Sequence, residues 1–184
     1  MIINCTMNYL YHDVPKVLKG NTLLPQDVLK IQHPEIYEDE VKKYKGRENI
    51  LTKRIPFLNC SWSEVLFLSP VHPKNIAKAL KIAGKQSTKK IRFYKINPYE
   101  LHPEKAIVYL YKYDPMAEEE KEDNFTSFDP RKLPHYNKVP QKTIQYYKKK
   151  MKEGRKPLLY HFIPHILYKG ELLIKNAKII EVNL

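Results

Sequence analysis

Residues 89–113, "KKIRFYKINPYELHPEKAIVYLYKY", decide the fold class. They hold two strand-length runs, "KKIRFYKI" and "AIVYLYKY". The linker "NPYELHP" is too long for a tight hairpin turn, yet short enough for the strands to be expected as neighbours. No helix separates the pair. Outward from it, the order of elements becomes β-α-β-α-β-β-α-β-β-β. That order predicts an α+β domain, with a mixed, mainly antiparallel sheet and flanking helices.

On the N-terminal side, residues 64–69, "EVLFLS", form an apolar run of strand length, and "HPKNIAKALKIAG" follows as a helix. Pro73 opens that helix, Ile76, Ala79, Leu80 and Ala83 share its core face, and Gly84 closes it. Residues 33–46, "HPEIYEDEVKKYKG", read as a helix with Ile36, Tyr37, Val41 and Tyr44 on one face and Gly46 at its end. The first strand is expected over residues 1–12, with one or two helical turns between Pro15 and Gly20. On the C-terminal side, residues 114–140 carry an acidic run and several prolines without a period, which predicts a loose surface loop or lid. Residues 141–154, "QKTIQYYKKKMKEG", give a basic helix with Ile144, Tyr147 and Met151 as its apolar stripe. Three short strands are expected in the tail, at "PLLYHFI", "GELLI" and "AKIIEV".

At 184 residues, 42% of them hydrophobic, residues 1–184 are read as a single domain with a real core. The formal net charge of +13 favours polyanions as partners, namely nucleic acid, a phosphorylated nucleotide or an anionic membrane surface, and suits an anionic macromolecule, nucleic acid or protein, as target. Cys5 and Cys60 lie far apart, and no Cys/His spacing suits zinc, so neither a disulfide nor a metal is expected. No run of 18 apolar residues is present, and no basic n-region precedes an apolar stretch. Those features predict a cytoplasmic protein without a membrane partner. The five glycines spell neither a P-loop nor a dinucleotide-binding GxGxxG.

Candidate site residues gather at strand ends. "LYH" followed by a turn places His12 where an imidazole can bond a ribose hydroxyl or act as a base. Arg47, Lys53 and Arg54 offer donors to phosphate, and Trp62 offers a stacking surface. Ser69 and His72 end the next strand, before a helix N-terminus suited to an anion. Glu171 opens a late strand after Gly170, where a carboxylate can accept a hydroxyl hydrogen bond or stabilise developing positive charge. "LYHDVPKVL" at residues 10–18 is echoed by "LYHFIPHIL" at 159–167, which reads as two strands broken by proline rather than a duplication. Another reading, a histidine pair as in two-histidine phosphoesterases, is strongly disfavoured, because those carry a Ser or Thr two residues after each His and Val14 and Ile163 stand there.

Four segments in this order resemble the ADP-ribosyltransferase-like superfamily. "LYHDVPKVLKGNTLLP" resembles its opening strand and short helix, and "EVLFLSPVHPKNIAKAL" its next core strand and helix. "IRFYKINPYELHPEKAIVYLYK" is similar to its central strands, and "GELLIKNAKIIEV" to the late strand headed by the catalytic Glu. The resemblance implies a split fold that uses NAD as substrate and transfers ADP-ribose to an unassigned target, in an enzyme of bacterial or phage type. It implies that His12 and Glu171 are catalytic: His12 holds the nicotinamide-side ribose, and Glu171 bonds the ribose hydroxyl and stabilises an oxocarbenium-like transition state. Arg47 and Arg54 would hold pyrophosphate, with Tyr11, Ser69 and His72 completing the NAD contacts. Lys169 stands two residues before Glu171 where arginine-directed members carry a second acid. The alternative reading is a non-catalytic nucleic-acid-binding module that uses Lys148, Lys149 and Lys150 on the basic helix.

Overall fold

The computed structural model describes residues 7–18, 20–86, 89–113 and 121–184. Its strands are β1 (Leu10–Asp13), β2 (Thr22–Leu23), β3 (Arg54–Ile55), β4 (Cys60–Ser61), β5 (Val65–Leu68) and β6 (Lys90–Ile96). They continue with β7 (Ala106–Tyr109), β8 (Phe125–Ser127), β9 (His165–Lys169), β10 (Leu172–Leu173) and β11 (Lys178–Asn183). The α-helices are α1 (Gln26–Gln32), α2 (Pro34–Val41), α3 (Pro73–Ile82) and α4 (Gln141–Lys152). The architecture is α+β, and every strand ladder among the described residues is antiparallel.

A three-stranded sheet runs β1-β6-β11, and a four-stranded sheet runs β5-β9-β7-β8. Among the described residues one bridge joins them: Tyr11 and Ser69 exchange both backbone hydrogen bonds, each at 2.8 Å. The two strands of residues 89–113 therefore do not pair, and this corrects the expectation that they are neighbours. β6 sits at the centre of the smaller sheet and β7 inside the larger, so the intervening residues carry the chain from one sheet to the other.

Alternation assigns the faces. In the larger sheet Leu66, Leu68, Val108, Ile166 and Tyr168 point to a core shared with Leu10, Tyr94 and Ile96 of the smaller sheet. Val65, Ile107, Tyr109 and Leu167 point the other way, onto Ile50, Ile55, Trp62 and Phe125. Burial on both faces explains why "EVLFLS" and "AIVYLYKY" read as continuous apolar runs. Helices α3 and α4 cover the far side of the smaller sheet, where Ile76, Leu80 and Tyr147 pack on Phe93 and Val182. Both helices end alike. Lys85 N–H donates to the Leu80 carbonyl and Arg155 N–H to that of Lys150, across Gly84 and Gly154 at φ +95° and +65°.

Several segments differ from expectation. Of the first strand, only Leu10–Asp13 falls among the described residues, and the part over residues 1–6 lies outside them. Bends occupy residues 16–17 in place of the expected helical turns, and helix begins only at α1, carried by one buried residue, Leu29. Residues 121–140, expected as part of a loose loop, contain edge strand β8 and bury Phe125, Phe128 and Leu133; residues 114–120 lie outside the described residues. "PLLYHFI" is a turn rather than a strand, because Phe162 adopts φ +60° and Pro164 comes soon after. The strand begins after that proline, at His165.

Candidate functional site

The cavity that concerns function, about 410 Å³, opens where β1 and β5 meet. Tyr11, His12 and Asp13 approach it from β1, and Leu66, Phe67 and Ser69 from the strand alongside. Its outer wall is the α2 face and the turns after that helix: Ile36, Glu40, Tyr44 and Arg47 recur near helical spacing and all line it. Its far wall comes from the segment before β9, through Leu159, Tyr160, His161 and His165. The two copies of the Leu-Tyr-His motif differ in local structure, yet the fold brings both to this one cavity.

A hydrogen-bond chain closes the inner end. Tyr160 O–H donates to Asp13 Oδ1 at 2.6 Å, linking residues 147 apart in sequence. His12 Nδ1 lies 2.7 Å from the Asp13 carbonyl, which can only accept. The proton therefore sits on Nδ1, and Nε2 of the neutral ring is left as an acceptor. Burial pushes the His12 imidazole down, against the attraction of Asp13, so the neutral form is favoured. His165 is pushed down to about 4 by burial, partly offset by a hydrogen bond to the Ile163 backbone. Tyr160 is raised well above the ordinary phenol value by burial and by the neighbouring carboxylate of Asp13. Tyr11 is raised to about 12, chiefly by burial. His12, His165, Tyr160 and Tyr11 are thus favoured in their neutral forms, and Asp13 and Glu40 are the carboxylates among the described lining residues. Glu40 is paired with Lys43.

A second groove, about 600 Å³, shares Arg47, Tyr111, Leu158 and His161 with the first. It is lined further by Lys142, Tyr146, Lys149, Lys150 and Phe162, and no carboxylate of the described residues lines it. Its rings form one cluster. His161 lies 4.0 Å from Tyr146 and 4.1 Å from Phe162, centroid to centroid, and its Nδ1 is 3.0 Å from the Tyr111 hydroxyl. Lys142 Nζ donates to the carbonyls of Tyr111 and Lys112 at 2.8 and 3.1 Å and sits 4.4 Å from the Phe162 ring centre.

The expected site residues divide. Tyr11, His12, Arg47 and Ser69 converge on the first cavity. Arg54 and His72 do not line it. Arg54 is exposed and bonds Asn59 Oδ1. His72 caps α3, its Nδ1 accepting from Lys74 N–H at 3.1 Å while its ring packs on Tyr11 at 4.8 Å. The α3 N-terminus is therefore satisfied by its own cap. Glu171 is exposed and is not a lining residue. It precedes Leu172, whose ladder partner Leu23 does line the cavity. Lys149 and Lys150 line the second groove, and Lys148 does not. Among the described residues no His/Cys/Asp/Glu cluster has a metal-holding arrangement. The described Cys60 is buried, its thiol pushed up to about 11 by burial; Cys5 lies outside the described residues. No helix of the described residues is long and apolar enough to cross a membrane.

Asp13, Tyr160 and His165 escape sequence reasoning as site residues. The available signal is the echo itself, because both copies carry Tyr-His beside a proline. Comparisons of the chain with protein-family models, with curated proteins and with solved structures return no match.

Proposed function

We propose that the protein binds a dinucleotide of the NAD type in the joined cavity and groove and transfers its ADP-ribosyl group to another molecule. The observation that carries this reading is the convergence of His12, Tyr11, Ser69 and Arg47 on one cavity. Apart from the adjacent Tyr11 and His12, these residues come from separate stretches of chain, and they combine an imidazole acceptor, small polar groups and a guanidinium. An Nε2 acceptor suits a ribose hydroxyl, and aromatic walls suit a flat ring. Arg47, shared with the cationic groove, suits a pyrophosphate.

In this reading the bond between ribose and nicotinamide breaks, nicotinamide leaves with the bonding pair, and an acceptor nucleophile takes the sugar carbon. Glu171, exposed and outside the cavity lining, supplies the carboxylate for the cationic sugar only by turning in from its place before Leu172, whose ladder partner Leu23 lines the cavity. Thermal melting with NAD, together with nicotinamide release measured by chromatography, tests the proposal. NAD should raise the melting temperature of the wild type, and His12→Ala should shrink that shift. Glu171→Gln should keep the shift and lose nicotinamide release by at least about a hundredfold. Absence of any shift at millimolar NAD removes the reading. A shift with release unchanged in Glu171→Gln removes Glu171 from it.

A further inference from the structure

We infer that the second groove binds a single-stranded nucleic acid, stacking its bases on Tyr146 and Phe162 and holding its phosphates with Arg47, Lys149 and Lys150. The inference stands without NAD, because the strand is tested on its own; where both bind, they compete for Arg47, which lines the cavity and the groove alike. Three observations carry it.

The first is charge. Four cationic side chains, Arg47, Lys142, Lys149 and Lys150, line the groove with no carboxylate among its described lining residues, and Lys142 is held on the carbonyls of Tyr111 and Lys112. Glu153 lies outside it, bound to Lys150 Nζ at 2.9 Å. The chain as a whole carries +13, so the groove adds a local focus to a field that already attracts polyanions.

The second is the platform. Tyr111, Tyr146, His161 and Phe162 form a contiguous set of rings, and Tyr111, Tyr146 and Phe162 are only partly buried. Cations and aromatic rings lining one groove match what a strand of unpaired bases requires: each base offers a π-face and each linkage a charge. A duplex hides its π-faces, and an acidic peptide offers charge without stacking partners.

The third is backbone strain. Tyr111 and Phe162 adopt φ +53° and +60°, conformations that cost an L-residue of this bulk about 1–2 kcal/mol each. The two rings lie 5.4 Å apart, and Lys142 bonds the Tyr111 carbonyl while resting against Phe162. Both strained residues line the same groove, and strain maintained by surrounding structure concentrates at functional sites.

Fluorescence anisotropy with labelled DNA and RNA strands of about 12 nucleotides tests the inference. Single strands should bind more tightly than a duplex of equal length or heparin, with log K falling against log salt at a slope of about −2, as three phosphate contacts imply. Lys149→Glu with Lys150→Glu should weaken binding at least about tenfold, as should Tyr146→Ala. Tyr146 O–H also accepts from Leu158 N–H at 3.1 Å, so Tyr146→Leu, which keeps bulk but not the π-face, serves if the alanine variant melts early. Lys78→Glu with Lys81→Glu, an equal charge change on the exposed side of α3, should have little effect. The inference is overturned if that α3 pair weakens binding as much as the groove pair, if removing the Tyr146 ring changes nothing, or if an acidic peptide displaces the strand at equal charge.

Discussion

At the residue scale, His165 has the firmest consequence. Its ring is 6% exposed, packs on Phe67 and Tyr160, and is pushed from 6.5 to about 4. Above pH 6.5 neither the folded nor the unfolded state binds the proton, and stability is full. As pH falls below 6.5 the unfolded chain takes up a proton that the native cavity refuses, and stability falls until about pH 4. Between pH 7 and pH 5 this costs about 2 kcal/mol. His12 is shifted in the same direction and adds to the slope. Urea unfolding at the two pH values checks it, and His165→Gln should flatten the dependence. An equal slope in that variant would place the titrating group elsewhere.

At the element scale, the amphipathic helices are open to sequence reasoning and the short strands are not. Helices α3 and α4 announce themselves by Pro73, by apolar residues at helical spacing, and by Gly84 and Gly154. Gly154 allows a clean measurement. It sits at φ +65°, and a methyl group added to its Cα would meet nothing within 4 Å, so Gly154→Ala pays only the conformational penalty. It should lower stability by about 1 kcal/mol in chemical denaturation while leaving the far-ultraviolet circular dichroism unchanged. β9 is displaced by a few residues from its expected place because "PLLYHFIPHILY" is apolar nearly throughout, and the turn that interrupts it rests on one positive φ at Phe162. α1 escapes notice because "QDVLKIQ" buries Leu29 alone and so lacks an apolar stripe. In the cavity, Tyr11, His12 and Ser69 are legible as candidates because sites gather at strand ends, although Tyr11 and Ser69 are themselves buried. Asp13–Tyr160 is not, since nothing local signals a bond between residues so distant in the chain.

At the scale of the whole molecule, the two larger sheets share, among the described residues, one bridge and one of three clusters of apolar side chains. The cluster containing Leu10, Leu68, Tyr94 and Ile166 draws on both sheets, and this makes them one cooperative body rather than two hinged halves. Hydrogen exchange tests that statement. The amides of Tyr11 and Ser69, each bonded to the other's carbonyl, should exchange as slowly as those at the centre of β6 and β9. Rapid exchange at the bridge, with both sheet centres protected, would mean that the sheets part without unfolding and that the cavity between them breathes open.

The position of β9 governs how the protein comes into being on the ribosome. β5 and β7 are made early, yet they have no strand to pair with in common until β9 is inserted between them, and the second edge of β6, beyond β1, waits still longer for β11. The far wall of the cavity belongs to the same late stretch, Leu159 to His165. A nascent chain that has emerged only as far as α4 therefore holds apolar strand edges in need of protection and has no closed site. The cavity closes only once the residues up to 169 are in place, since its far wall and the strand that joins β5 to β7 belong to the same late stretch.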